Sequence, residues 1–206
     1  VRPKDGYDIE TTINVNLQDV TESALLKALQ RHRADYGVAV VMEVSTGEIK
    51  AISNLSRNSE GNYYERYNYA VGSQGAREPG STFKLASMIA LLEDSDIQLT
   101  DTVDTGDGTM KFFNETMKDH KPGGYGTLTV KEIFEMSSNI GTAKLITRHF
   151  GENPSRYTDY LKNIGLDKPL GFQMVGEGMP YIKDPTDSTW SGISLPWISH
   201  GYELKM

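Results

Sequence analysis

Phe83, Leu85, Ala86, Met88, Ile89, Ala90, Leu91 and Leu92 crowd one stretch of this chain and leave it almost no polar face. A helix that is apolar all round is a buried helix, so this stretch is expected inside the domain. Glu78-Pro79-Gly80 breaks the chain just before it, and Ser81-Thr82-Phe83-Lys84 opens it. Residues three apart on a helix share a face, which sets Ser81 beside Lys84. Packing does not explain a polar pair at the start of an otherwise apolar helix. Chemistry does. A serine hydroxyl is a weak nucleophile until a neighbouring base takes its proton. Lysine can be that base when neutral, and both desolvation and the positive end of a helix dipole lower its pKa. The pattern alone is weak, because a chain of this length contains about one Ser-x-x-Lys by chance. The bland alternative is a helix-capping serine followed by a surface lysine.

The rest of the chain narrows the class. Its 206 residues suit one domain with a real core, and we take residues 1–206 as a single unit. The net charge of -7 and the absence of any Lys or Arg run argue against a nucleic-acid surface. With no cysteine, thiol catalysis, zinc held on sulfur and disulfides are excluded. No apolar stretch is long enough to span a membrane, and no signal peptide opens the chain. Val1 is not an initiator methionine, so the expectation is that a targeting or anchoring segment preceded it.

Periodicity places the other elements. Val1 to Asn14 reads as an extended polar lead-in. Leu17, Val20, Ala24, Leu25, Ala28 and Leu29 predict a helix over Leu17–Arg33, with Asp19 and Glu22 in its first turns. Tyr36–Val44 and Glu48–Ser53 flank Ser45-Thr46-Gly47 and predict a hairpin. Asn54–Gly75, polar and rich in Tyr and Asn, reads as loop. Thr129-Val130-Lys131-Glu132 has the capping-box pattern and predicts a helix from near Val130. Another is expected over Gly141–Phe150. Beyond Gly151 the Gly, Pro and Asp content gives no clear element.

A second polar cluster, Ser137-Ser138-Asn139, falls where the helix from Val130 runs out. Ile133, Phe134 and Met136 precede it and Ile140 follows. Polar side chains held between apolar segments need partners, and Lys84 or a substrate amide would supply them. The alternative is a helix junction capped by Ser and Asn. Ser56-Arg57-Asn58 has the same form but lies in the polar loop, and reads as a solvated turn.

Together, Glu78-Pro79-Gly80-Ser81-Thr82-Phe83-Lys84 and Met136-Ser137-Ser138-Asn139-Ile140-Gly141-Thr142 resemble the penicillin-binding protein transpeptidases, most closely the class B, monofunctional kind. Asp8 to Asn14 with Leu17-Gln18, the hairpin Val40–Ala51, and Gly126-Thr127-Leu128-Thr129-Val130 extend the likeness over most of the chain. The resemblance implies an α+β fold of the penicillin-binding transpeptidase and serine β-lactamase kind: an antiparallel sheet flanked by helices, here incomplete. It implies a D,D-transpeptidase working without cofactor or metal on the outer face of the bacterial cytoplasmic membrane. Ser81 would attack the penultimate D-Ala of a stem peptide ending D-Ala-D-Ala, with Lys84 as its base. Ser137 would relay a proton to the leaving amine, and Asn139 would hold Lys84 and the substrate amide. The Ser81 N–H would be half of the oxyanion hole. β-Lactam antibiotics would acylate Ser81. Other cell-wall synthesis proteins would be partners, and any membrane contact would come through a missing N-terminal anchor.

The family's third motif, Lys-Thr-Gly or Lys-Ser-Gly, is not found. Ser45-Thr46-Gly47 precedes Ser81 and sits in a hairpin turn, so it is rejected. Ser199-His200-Gly201-Tyr202-Glu203-Leu204 resembles the segment before that motif. The expectation is therefore a chain cut after Met206 and inactive by itself, which rapid labelling of Ser81 by a fluorescent penicillin would contradict. Two rivals remain at this point. One is a serine β-lactamase or β-lactam sensor, separated by penicillin turnover. The other is a non-catalytic penicillin-binding scaffold, favoured if Ser81→Ala still supported wall synthesis. Asp101, Asp104 and Asp107 lack the spacing of a calcium loop and read as a polar turn. His32, His120, His149 and His200 have no ligand spacing and read as structural or exposed. Tyr63, Tyr64, Tyr67, Tyr69, Trp190 and Trp197 read as packing residues rather than cleft lining.

Overall fold

The computed structural model describes residues 6–171 and 176–206. The first five residues of the expected Val1–Asn14 lead-in lie outside the described residues. The chain divides into two compact units, one of Val1–Gly75 with Met174–Gly178, the other of Ala76–Gln173 with Met179–Met206. The architecture is α+β, as the motifs implied. Among the described residues the strands form one three-stranded antiparallel sheet and three two-stranded ribbons.

In the first unit, helix α1 spans Val15–His32. It starts two residues before the expected Leu17 because the Asn14 side chain accepts the Leu17 N–H at 3.1 Å and caps it there. Its first turn consequently contains no acid. Strands β1, Tyr36–Met42, and β2, Ile49–Arg57, pair antiparallel from Tyr36↔Ser56 to Met42↔Ile49, which is the predicted hairpin.

Strand β2 runs past Ser53 into the predicted loop and pairs with β3, Tyr63–Tyr64. The solvated-turn reading of Ser56-Arg57-Asn58 is corrected: Ser56 is buried in a strand, and Arg57 closes it with an N–H to the Asp35 carbonyl at 2.8 Å. Backbone pairing outweighs the polar composition here. The turn begins at Asn58, whose Oδ1 accepts the Glu60 and Asn62 N–H groups. The tyrosines pack this segment. Tyr36 stacks on Tyr69 with centroids 4.5 Å apart, and the Tyr63 hydroxyl lies 2.7 Å from the Ala34 carbonyl.

In the second unit, a single 3-10 turn, Gly80–Phe83, leads into helix α2, Lys84–Asp94. Strand β4, Thr102–Asp104, pairs with β7, Thr127–Thr129, and β5, Thr109–Phe112, with β6, Glu115–Lys118. Helix α3, Val130–Glu135, carries the predicted capping box between Thr129 and Glu132. Helix α4, Asn139–Phe150, follows, then α5, Pro154–Asn163, and the short α6, Ser194–Ile198. Strands β8, Tyr181–Ile182, and β9, Leu204–Lys205, form the last ribbon. Helix α5 was not anticipated, although Pro154 at its first turn is a start signal.

The core gathers Leu91, Val130, Ile133, Leu145, Ile146, Phe150, Tyr157, Leu161 and Ile198. Each contributes on the order of 1.5–3 kcal/mol by leaving water. Helix α2 corrects the sequence reading in an instructive way. Leu85, Ile89 and Leu92 are 55%, 40% and 40% exposed, whereas the polar Lys84 and Ser87 are buried. Ser87 Oγ donates to the Ser199 carbonyl at 2.6 Å, so the Tyr157 hydroxyl, 2.7 Å away, donates to Ser87. The acids at Asp101, Asp104 and Asp107 each accept a nearby N–H, from Gln98, Gly106 and Thr109, and so form polar turns.

One ion pair ties α5 to the segment after β8. Lys162 Nζ donates to Asp184 Oδ2, and Thr186 donates twice to Oδ1. These bonds, Lys162 first, hold the Asp184 carboxyl down to about 2 from 3.8. A depressed carboxyl stabilises the fold above pH 4 and loses that contribution as the pH falls from about 4 to about 2. Asp184→Asn is therefore expected to cost about 1 kcal/mol at neutral pH. Thermal melts across pH check this: the gap to wild type should close below pH 4. A gap that persists to pH 2 would contradict it.

Candidate active site

The predicted pair and the predicted triplet meet in the second unit. Gly80, at φ +57, turns the chain into the 3-10 turn and leaves Ser81 exposed at its start. Three later contacts hold this approach. Arg77 and Met206 exchange backbone hydrogen bonds at 3.0 Å, Glu78 Oε1 accepts the Glu203 N–H at 2.9 Å, and the Gly80 N–H donates to Gly201 O at 3.0 Å. Gly201 sits at φ +91, and an added Cβ would fall 2.0 Å from Gly80 O.

Lys84, one turn on from Ser81, is 1% exposed. Its Nζ lies 3.0 Å from Ser81 Oγ, 2.7 Å from the Ser137 carbonyl, 3.0 Å from Ser137 Oγ and 2.6 Å from Asn139 Oδ1. Burial pushes its pKa down to about 8 from 10.5, with the Asp119 charge opposing. The partners differ in kind. The Ser137 carbonyl and Asn139 Oδ1 can only accept, while the two hydroxyls can also donate. A neutral amine has two N–H bonds and one lone pair. The two short contacts take the N–H bonds, and the lone pair is left facing the hydroxyls. The Asn139 orientation is fixed because its Nδ2 donates to the Lys118 carbonyl at 2.8 Å.

Ser137 reaches this position through an uncommon backbone. It stands at φ +53 between α3 and α4. The Met136, Ser137 and Ser138 N–H groups bond back to Glu132, Phe134 and Ile133 and so lock the turn. Ser138, fully buried, caps α4 by accepting the Gly141 N–H at 2.9 Å.

Asp119 carried no sequence signal. It is a lone acid in a polar stretch 20 residues before Asn139. In the structure it is 8% exposed and accepts from Ser138 Oγ, the Asn139 N–H and the Ile140 N–H at 2.9, 2.6 and 3.1 Å. Among the histidines, His200 is buried. Its Nδ1–H donates to the Pro196 carbonyl at 2.9 Å, and burial lowers its pKa to about 4, so it is neutral at physiological pH. His120 contacts the Tyr125 hydroxyl, and His149 contacts Asp94. Trp197 stands edge-on to Phe112 with centroids 6.1 Å apart, and Trp190 packs on the core.

The geometry has close relatives. Residues 37–204 match the penicillin binding protein transpeptidase domain family. A probable peptidoglycan D,D-transpeptidase of Neisseria flavescens is 29% identical over 209 residues, 99% of this chain and 50% of the relative. The stage V sporulation protein D of Bacillus subtilis is 29% identical over 180 residues, 85% of this chain and 27% of that protein. The chain thus spans half or less of these relatives' length. Among solved structures, the apo transpeptidase domain of Burkholderia pseudomallei penicillin-binding protein 3 superposes with a TM-score of 0.80 at 26% identity, covering 98% of this chain and 56% of that one. Penicillin-binding protein 3 of Mycobacterium tuberculosis, complexed with aztreonam, gives 0.78 at 25% identity, covering 94% and 43%.

Proposed function

This chain belongs to the penicillin-binding protein transpeptidase family, and from that premise we propose that it carries the nucleophile of a peptidoglycan D,D-transpeptidase. The substrate is a stem peptide ending D-Ala-D-Ala, and the site of action is the outer face of the bacterial cytoplasmic membrane. Among the described residues no helix is long and apolar enough to cross a membrane.

One observation carries the reading. The buried Lys84 Nζ has two obligate acceptors and a serine hydroxyl at 3.0 Å. Ser81 Oγ attacks the carbonyl carbon of the penultimate D-Ala while its proton passes to the Lys84 lone pair. The tetrahedral oxyanion is met by the Ser81 N–H, which no described hydrogen bond occupies. Ser137 Oγ, also 3.0 Å from Lys84 Nζ, takes that proton from the Lys84 ammonium as it passes its own to the departing amine and the C–N bond breaks. The acyl group stays on Ser81 as an ester. The amine of a neighbouring stem then attacks that ester, gives its proton back through Lys84, and leaves as the cross-linked product.

Intact mass after exposure of the full-length protein to a penicillin tests this. One stable adduct mapping to the Ser81 peptide is expected, and none in Ser81→Ala. Failure of wild type to form an adduct would overturn the reading. Rapid loss of the adduct with penicillin hydrolysis would turn it toward a β-lactamase.

A further inference from the structure

The catalytic contacts of Lys84 depend on a group that does not touch it directly. Helix α4 begins with three N–H groups, of Asn139, Ile140 and Gly141, that have no partner within the helix. The Ser138 side chain reaches only the third, at Gly141. Asp119 takes the other two through Oδ1, and its Oδ2 accepts the Ser138 hydroxyl that does the capping. The residue before it, Lys118, takes the Asn139 side-chain amide through its carbonyl. The end of β6 therefore grips Asn139 by both backbone and side chain. A carboxylate at the positive end of a helix is also electrostatically favoured.

We propose that Asp119 is a positioning residue for the acylation of Ser81. Its carboxylate fixes the Ser137–Asn139 turn so that the Ser137 carbonyl and Asn139 Oδ1 hold the two N–H bonds of Lys84 and leave its lone pair to Ser81. The inference rests on the transpeptidase reading above. An asparagine at the same place would still accept from the Asn139 and Ile140 N–H groups, but its NH2 would face the Ser138 hydroxyl that Oδ2 now takes, so the turn would loosen as the charge is lost. A charge buried this near the base does something an amide does not. It favours the ammonium form of Lys84 and so opposes the effect of burial. Asp119 thus trades some basicity range for a fixed geometry. Among the described residues the other charged or titratable groups around the pair are Tyr125 and His200, each of which feels the Asp119 charge, together with Lys118 and His120 on its own segment. His200 also feels the Lys84 charge and is neutral over the working range.

The test compares Asp119→Asn with Ser138→Ala, which loosens the same helix end without removing a charge. Two quantities are read in the full-length protein: the Lys84 titration midpoint, by NMR of ε-labelled lysine, and the rate of Ser81 acylation by a penicillin from pH 6 to 10. In D119N the midpoint and the acid limb of the rate profile should move together to lower pH by about one unit. The plateau rate should fall about tenfold as Asn139 loosens. In S138A the plateau falls and the limb stays where wild type has it. Asp119→Glu, with the charge kept and the arm lengthened, should hold the limb but lose plateau, and it carries the test if D119N fails to fold. A D119N midpoint unchanged from wild type, an equal shift in S138A, or a wild-type plateau in D119E would each overturn the proposal. A wild type that forms no Ser81 adduct overturns the transpeptidase reading instead, and the Lys84 midpoint still decides whether Asp119 acts on Lys84.

Discussion

Replacing Lys84 with methionine is expected to slow acylation of Ser81 by a penicillin about a thousandfold. Methionine fills much of the volume of the lysine stem but cannot take a proton. Lys84 is the only side chain whose nitrogen lies within hydrogen-bond reach of Ser81 Oγ among the described contacts, at 3.0 Å. The variant also strands the Ser137 carbonyl and Asn139 Oδ1, each of which loses a donor at under 3 Å. A buried acceptor left unpaired costs about 1–3 kcal/mol, so a lower melting temperature should accompany the loss. The two effects separate by comparison with Ser81→Ala, which removes the adduct and leaves both acceptors paired. Stopped-flow acylation of K84M, measured well below its melting temperature, checks the base assignment. A rate within tenfold of wild type would sink it.

The same lysine fixes a pH dependence. Its pKa falls to about 8 in the fold from 10.5. Acylation should therefore rise with pH through about 8, as the neutral amine appears. The linkage to stability has the matching sign. Between about 8 and 10.5 the unfolded chain binds a proton that the folded chain has released, so stability attributable to Lys84 increases with pH across that window. Below pH 8 both states are protonated and the fold carries the whole cost of a buried ammonium.

Gly201→Ala is expected to have a large effect for a single added methyl group. The added carbon would lie 2.0 Å from Gly80 O and 2.6 Å from Gly80 C, both backbone atoms that no rotamer change can move away. It would also sit at φ +91, where a side chain is strained. Strain and contact together should destabilise the protein by about 3 kcal/mol or more. The displaced segment is the one that leads into Ser81, so acylation should fall about a hundredfold in the protein that remains folded. Gly165→Ala is the control. Gly165 has φ +90 and no atom within 4 Å of its added carbon, so it isolates the strain from the contact. If the two variants lose equal stability and G201A keeps its acylation rate, the close approach of Gly201 to Gly80 does not position the nucleophile.

Some of this was legible from neighbouring residues alone. Ser81 and Lys84 share a helix face because they are three apart, whatever else the chain does. The Thr129–Glu132 cap is likewise a contact across one turn, and it formed where the residues predicted. The hairpin followed from two strand-forming runs around a short turn, and the two strands pair there. Ser137 and Asn139 were found by their apolar flanks. What failed were readings that turned composition into burial. Helix α2 looked buried on every side, yet it shows Leu85, Ile89 and Leu92 and hides Lys84 and Ser87. Ser56 looked like loop and is a buried strand residue.

Sequence by itself determined the chemistry available: a serine, a lysine one turn away, and a second polar cluster in the right order. Those assignments depend on local geometry, which the backbone sets within a turn or two. Only the tertiary structure decided which groups surround Lys84 and how its proton is held. Asp119 reaches Asn139 across 20 residues and Gly201 reaches Gly80 across 121, from Gly80 N to Gly201 O at 3.0 Å. Contacts at such separations exist only once the helices have packed, because no local periodicity brings their ends together. Packing therefore turned Ser81 from one Ser-x-x-Lys match among those that chance supplies into a hydroxyl 3.0 Å from a buried amine.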